Sequence, residues 1–297
     1  MAKRKLDRDA LNSKLIRRPI QRCFPIFLLP TFAAFCIGFL YPFGKGLFLS
    51  FCNFKTTSKW TWAGLDNYVK AFQDSSFLYS FGFTALYALV SLIIINVLAF
   101  AVAYALTRGI KGSNLFRTVF FMPNLIGGIV LGYIWSMIFD GILSRYGTSI
   151  LLNTKYGFWG LVILVGWQQI GYMMIIYIAG LNAVPEDMLE AAKIDGANAW
   201  TTLWKITIPN VMPSITICTF LTLTNSFKLY DQNLALTEGR PFKDAIHTTE
   251  MLALNIVNSN TIKTRGVGQA KAVLFFVLVV AIGVTQLLAT RKKEVQQ

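Results

Sequence analysis

Phe77-Leu-Tyr-Ser-Phe-Gly-Phe-Thr-Ala-Leu-Tyr-Ala-Leu-Val-Ser-Leu-Ile-Ile-Ile-Asn-Val-Leu-Ala-Phe-Ala-Val-Ala-Tyr-Ala-Leu106 contains no charged residue. A bilayer's hydrocarbon core is about 30 Å thick and needs about 20 mostly apolar residues in a helix to cross it. This stretch exceeds that length and reads as a membrane-crossing helix. Five more stretches meet the same test, and the six run 24–49, 77–106, 115–139, 158–181, 211–236 and 269–290. The expected fold is an all-α membrane protein, a bundle of about six transmembrane helices. Two stretches are imperfect: the first carries Pro30, Pro42 and Lys45, which predicts a kinked or interfacial outer end, and the fifth carries Lys228 and Asp231.

Composition agrees. Of 297 residues, 55% are hydrophobic and 14% are charged, against roughly 25% charged in soluble domains. The mean hydropathy is +0.53. The net charge of +14 would suit nucleic acid only on a soluble basic face, which the apolar excess does not leave. The basic residues are instead placed by topology. Sixteen lysines and arginines fall in the N-terminal tail 1–23, the C-terminal tail 291–297 and the loops after the second and fourth spans; nine fall in the opposite loops. The positive-inside rule therefore puts both tails in the cytoplasm. The N-terminal basic run precedes an apolar stretch too long for a cleavable signal's h-region, so no removed leader is expected. Cys23, Cys36, Cys52 and Cys218 are scattered and read as small hydrophobes, and His247 is the only histidine, which leaves no metal set.

The loop after the fourth span reads Val184-Pro-Glu-Asp-Met-Leu-Glu-Ala-Ala-Lys-Ile-Asp-Gly-Ala-Asn-Ala-Trp-Thr-Thr-Leu-Trp-Lys-Ile-Thr-Ile-Pro209. Pro185 suits a first helical position, with Glu186 and Asp187 in the positive first turn. Asp195-Gly196 breaks the helix, since glycine supplies the positive φ of a sharp bend. Ala199 to Ile206 resumes it and Pro209 is expected to stop it. A helix-turn-helix with small alanines and amphipathic edges fits docking into another protein's groove; an interfacial segment is the competing reading.

Glu190-Ala191-Ala192, Asp195-Gly196-Ala197 and Ile206-x-Ile208-Pro209 resemble the EAA signature of binding-protein-dependent ABC importer permeases. Gly64-Leu-Asp-Asn-Tyr68, Phe121-Met-Pro-Asn124, Ile134-Trp135, Ile176-Tyr-Ile-Ala-Gly-Leu181 and Leu236-Thr-Glu-Gly239 are similar to the carbohydrate-uptake, maltose-type branch. Arg240 departs from that branch, which often has a second glycine there. The resemblance implies a type I importer permease with a first helix and extracellular loop over 24–76, a transmembrane core over 77–290 and a coupling loop over 182–210. It implies that Glu190, Ala191, Ala192, Asp195, Gly196 and Ala197 dock on an ATPase subunit. It also implies a second permease, two ATP-binding subunits that hold ATP and magnesium, an extracellular solute-binding protein, and alternating access in a bacterial cell membrane.

The chain has no P-loop, because Gly44-Lys45-Gly46 lacks the spacing and the hydroxyl. No catalytic pair and no cofactor is expected in the chain itself. Gly128-Ile-Val-Leu-Gly132 is a GxxxG motif that lets helices approach. Trp60 and Trp62 suit the outer interface. Polar groups at membrane depth are costly, so they should face a cavity or pair. Asn124, Trp167, Gln168, Tyr172, Asn225 and Tyr230 carry the aromatic and amide chemistry of a sugar path. Lys228 and Asp231, three apart, can pair along one helical face. An ion-driven secondary transporter or a membrane scaffold would leave the helix-turn-helix loop unexplained.

Overall fold

The computed structural model describes residue 26, residues 28–237 and residues 249–291. Cys23, Arg240, His247, the tail 1–23 and residues 292–297 lie outside this set, as do Glu238 and Gly239. The first helix, α1 (Leu28–Leu49), leads into a hairpin of β1 (Cys52–Thr56) and β2 (Lys59–Trp62). Then come α2 (Asp66–Gln73), α3 (Ser75–Leu106), α4 (Ser113–Phe121) and α5 (Gly128–Leu143). They are followed by α6 (Thr154–Asn182), α7 (Glu186–Ile194), α8 (Ala199–Phe227) and α9 (Asp231–Thr237). The last two are α10 (Leu252–Asn258) and α11 (Arg265–Arg291).

Among the described residues, five helices, α1, α3, α6, α8 and α11, are long and apolar enough to cross a membrane. A sixth crossing exists if α4 and α5 act together, but they are bent by 99°. The third expected span is thus broken. A single 3₁₀ turn, Met122–Leu125, ends α4, and Ile126 is extended. Pro123 has no N–H to continue the ladder, and Ile126 and Gly127 are both extended before α5 begins.

The fifth expected span is displaced. Its helix starts at Ala199 and ends at Phe227, and Lys228 to Tyr230 separate it from α9. Pro209 does not stop it. Residues Leu203–Thr207 widen into a π turn, in which the Ile208 amide reaches back to the Leu203 carbonyl. The wide turn makes room for a ring that would clash in a regular helix. The Asn210 amide then donates to the Ile206 carbonyl at 2.8 Å. The same device precedes Pro42, where Cys36–Leu40 form a π turn inside α1. A backbone polar group in lipid has no water to turn to, so each proline is accommodated locally.

Between apolar helices in lipid there is little hydrophobic drive, and close packing must hold them. The α3–α6–α8 contact is built on Ala99, Ala103, Met173, Met174, Tyr177, Val211 and Cys218, all buried. Asn96 stitches the three together: its amide donates to the Thr222 hydroxyl at 3.3 Å and its oxygen accepts from the Tyr177 hydroxyl at 2.7 Å. Gly128 and Gly132 do lie at a close contact, where added Cβ atoms would meet Gln232 and Ala235 of α9. α6 meets the end of α4 more closely still. A Cβ on Gly171 would run into the Phe120 carbonyl and come within 2.8 Å of the Phe121 nitrogen.

At the hairpin end, buried Asn67 donates to the Ser50 and Cys52 carbonyls at 3.1 and 3.0 Å. Lys271 of α11 is 1% exposed. Its Nζ sits 2.5 Å from Asp74 Oδ2, 2.6 Å from Ser259 Oγ and 3.2 Å from Asn255 Oδ1. Asp74 also caps α3 by accepting from the Ser76 and Phe77 amides. Burial alone would push the Asp74 carboxyl up. The Lys271 hydrogen bond and charge, with the two amides, outweigh that and hold it below its ordinary value.

Gly171→Ala should destabilise the solubilised protein by about 1–3 kcal/mol, the usual range for overpacking. A thermal midpoint by size-exclusion chromatography that matches wild type would refute the close approach. Asp74 contributes stability as a carboxylate with a lowered folded value. That contribution is full above its ordinary pKa of 3.8 and is lost as pH falls through the folded value. Asp74→Asn should therefore lower the thermal midpoint at neutral pH and converge on wild type in acid. An equal deficit at all pH values would refute the charge pairing.

Candidate functional site

Gln168 is the middle residue of α6, 14 positions from each end, which is about 21 Å at 1.5 Å per residue. It is buried, and its amide donates at 3.1 Å to the Ile126 carbonyl at the α4–α5 break. Its oxygen accepts from Gln232 Nε2 at 2.8 Å. The Ile126 amide bonds the Pro123 carbonyl at 3.3 Å, and the break would otherwise leave the Ile126 carbonyl unpaired at membrane depth. The position of Gln168 thus sets how the broken helix lies on α6 and draws α9 onto the same spot.

A cavity of about 340 Å³ opens beside this pair, lined by Asn124, Gln168, Gln169, Tyr172, Asn225 and Lys228 to Gln232. Five residues singled out from the sequence meet here: Asn124 from the 3₁₀ turn, Gln168 and Tyr172 from α6, Asn225 from the last turn of α8, and Tyr230. Trp167 does not line it. Trp167 points about 100° around the helix from Gln168; it is 45% exposed and packs edge-on to Trp135 with ring centres 5.6 Å apart.

Lys228 and Asp231 line the cavity too, but no ion pair joins them, and they do not share a helical face. Lys228 ends α8 and Asp231 begins α9. Gln169, Leu229 and Gln232 were not anticipated. Gln169 carried a signal, being polar inside an apolar span. Gln232 carried the same signal, lying inside the stretch 211–236, but its place beside Gln168 depends on α9 folding back against α5. Among the described residues, no three His, Cys, Asp or Glu side chains come together as a metal site.

The far end of the bundle carries the second feature. Pro185 precedes α7 in extended backbone, so it occupies the cap position and not the first helical one. Leu189 and Val184 pack into the α3–α6–α8 core, and Ala192 is buried. Glu190, Ala191, Asp195 and Gly196 face outward, Ala197 is half-buried, and Ile194 is 86% exposed. Gly196 takes φ +76°. Its amide bonds the Lys193 carbonyl at 3.1 Å and the Ala197 amide bonds the Ala192 carbonyl at 2.9 Å. This is a Schellman turn, which needs a left-handed residue at that position. Asn198 then caps α8 by accepting from the Thr201 amide at 2.7 Å. A cavity of about 750 Å³, lined by Arg108, Asn182, Glu186, Lys193 and Thr202 among others, lies between this turn and the end of α3.

A helical membrane bundle with a polar cavity at mid-depth and a rigid, exposed turn at one end has the build of a transport permease. The chain belongs to the family of binding-protein-dependent transport system inner membrane components, whose model matches residues 95–293. It is 41% identical over 280 residues to the probable starch degradation products transport system permease protein AmyD of Thermoanaerobacterium thermosulfurigenes, over 91% of this chain and 94% of that one. It is 29% identical over 281 residues to the multiple sugar-binding transport system permease protein MsmF of Streptococcus mutans, over 91% and 95% of the two chains. In fold it is similar to a chain of a bacterial ABC transporter involved in the import of the acidic polysaccharide alginate. The TM-score there is 0.78, at 20% identity, over 93% of this chain and 98% of that one. The chain is therefore a multi-pass, non-catalytic permease subunit of an ABC importer. The secondary-transporter and scaffold readings are set aside.

Gln168→Leu would strand the Ile126 carbonyl and the Gln232 amide. The expected cost is about 1–3 kcal/mol, the penalty for a buried unsatisfied group. The thermal midpoint of the solubilised variant checks it, and Gln168→Glu, which keeps an acceptor for Gln232, should recover part of the loss. A wild-type midpoint for Gln168→Leu would show that the break is held by something else.

Proposed function

We propose that the chain passes an oligosaccharide, delivered by an extracellular solute-binding protein, through the mid-depth cavity into a bacterial cytoplasm. A second permease completes the path, and two ATP-binding subunits, which hold ATP and magnesium, drive it. The observation that carries this reading is the cavity itself. Amides and phenols from α6, α8 and the two breaks converge where lipid would penalise them. Asn124, Gln168, Tyr172, Asn225 and Tyr230 offer hydroxyl-binding amides and flat rings, the chemistry that sugars take. The names of the two relatives, starch degradation products and multiple sugars, point the same way.

Both tails lie in the cytoplasm in this reading, so the α7 end faces the ATPases and the hairpin end faces outward. Glu190, Ala191, Asp195, Gly196 and the adjoining Ala192 and Ala197 form the coupling contact. α8 is the link: it starts at the exposed turn and ends at Asn225 and Lys228. A push on α7 tips this one rod, and its far end reshapes the cavity. Alternating access follows from that tilt.

The test is uptake of labelled malto-oligosaccharide by vesicles containing the full complex, with ATP supplied on the ATPase side. Uptake should require ATP and the binding protein. Gly196→Pro, which fixes φ near −65° and forbids the Schellman turn, should cut uptake to background with normal membrane insertion. Uptake by this chain alone without ATP, or full activity of Gly196→Pro, would overturn the reading.

A further inference from the structure

The hairpin end carries an apolar surface that the packing of the bundle does not use. α2 buries Asn67 and Ala71 against the protein. Leu65 just before it, Val69 and Phe72 fall on the opposite side, within about 60° of one another at 100° per residue. They are 66%, 50% and 57% exposed. Between the two faces lies a polar edge of Asp66, Lys70 and Gln73, with Asp66 and Lys70 ion-paired at 2.5 Å. A water-facing helix has no use for a stripe of Leu, Val and Phe turned away from its own core.

The stripe is rigidly placed. Asn67 ties α2 to the end of α1 and the start of the hairpin through the Ser50 and Cys52 carbonyls. The Tyr68 hydroxyl meets Ser50 Oγ at 2.6 Å. Only Asp74 separates α2 from α3, and its contact with Lys271 ties the junction to α11. Beside the stripe the hairpin turns Trp60 and Trp62 outward. Trp60 packs edge-on to Phe48, and Trp62 stacks on Phe51 with ring centres 5.9 Å apart. The exposed cations Lys55, Lys59 and Lys70 stand around this group.

We infer that α2 and the hairpin form an interfacial anchor, lying in the headgroup layer of the membrane on the hairpin side. Leu65, Val69 and Phe72 turn toward the acyl chains, and the lysines meet lipid phosphates. Three features select lipid as the occupant. The stripe lies close in the chain to the exposed apolar surface of α3, where Leu78 and Phe81 are 50% and 38% exposed, and the hairpin links it to the largely unburied α1. Indole rings that carry a polar N–H on an apolar body favour the interface. A polar edge with lysines beside a narrow apolar face is the pattern of a helix lying in the interface plane, drawn to anionic lipid. The anchor fixes the depth of the three helix ends bound to it, α1, α3 and α11. It does not depend on which solute is carried.

The experiment is site-directed spin labelling in the assembled transporter, reconstituted in vesicles of phosphatidylethanolamine and phosphatidylglycerol. Cys23 and Cys36 are replaced by serine, buried Cys52 and Cys218 are kept, and labels are placed by Leu65→Cys, Val69→Cys, Phe72→Cys and Gln73→Cys. Collision with oxygen, which concentrates in lipid, should exceed collision with a water-soluble nickel chelate severalfold at 65, 69 and 72, with the order reversed at 73. Nickel-dominated collision at all four positions would place the stripe in water and overturn the inference. Low collision with both reagents at 65, 69 and 72 would place it against another protein and overturn it equally. A second readout needs no label. Headgroup-proximal brominated lipid should quench the unlabelled chain more than the Trp60→Phe, Trp62→Phe double variant; equal quenching would also overturn the anchor.

Discussion

The contact between the Gln168 amide and the Ile126 carbonyl expresses the constraint under which the whole chain folds. In hydrocarbon every backbone polar group must find a partner inside the protein. An unbroken helix does this unaided, while a broken one does not. Three departures from regular helix are met by a side-chain amide: Gln168 at the α4–α5 bend, Asn210 beside the Pro209 π turn, Asn67 at the α1–hairpin junction. A fourth, buried Asn233, donates to the Thr249 carbonyl and accepts from the Met251 amide. At these four places an Asn or Gln supplies what the irregular backbone lacks. The cavity exists because two irregular stretches, the α4–α5 bend and the α8–α9 gap, face each other across α6.

The length of α8 follows from the same constraint and has mechanical weight. Had Pro209 ended the helix, the exposed turn and the cavity would be joined by a flexible loop. The π turn lets the helix run 29 residues from Ala199 to Phe227, about 43 Å at 1.5 Å per residue. Under the proposed function, a displacement at the turn would reach Asn225 as a tilt of one body. The Asn96–Tyr177–Thr222 clasp is worth less than its buried position suggests, since such bonds average about 0.6 kcal/mol in membranes. It can hold the three helices in register without forbidding that tilt.

The membrane class, the spans of α3 and α6 and the turn at Gly196 were legible because each rests on local physics: hydrocarbon length, or the φ that only glycine takes easily. The run-through at Pro209 was not. Local propensity says stop, and the π turn that overrides it depends on room around Leu203 and on an Asn one residue later. The break at Ile126 was hidden in an apolar run that passes any hydropathy test. Gln168 and Tyr172 were legible as cavity residues because polar groups four apart share a helical face. Trp167 was misplaced for the same reason: chemistry suggested it, but rotation around α6 turns it onto Trp135. Lys271 was not legible as a buried charge although it falls in the stretch 269–290, because its partner Asp74 is 197 residues away.

Lys228 and Asp231 show how charge survives at this depth. A central lysine or aspartate costs about 2.5–3.5 kcal/mol on insertion scales, and pairing the two is the remedy their spacing suggests. The chain uses another. Lys228 is the C-cap of α8 and Asp231 opens α9. A cation at a helix C-terminus and an anion at an N-terminus each meet a partial charge of opposite sign, worth roughly 0.3–1 kcal/mol apiece. Their remaining solvation comes from the cavity they line. One wall therefore presents a cation and an anion side by side, among amides and a phenol, with no net charge between them. Such a wall has donors and acceptors at every point and no strong attraction for either sign of ion. Under the proposed function, such a wall would suit a neutral, polyhydroxylated solute better than a charged one, and no single contact would be strong enough to hold that solute back.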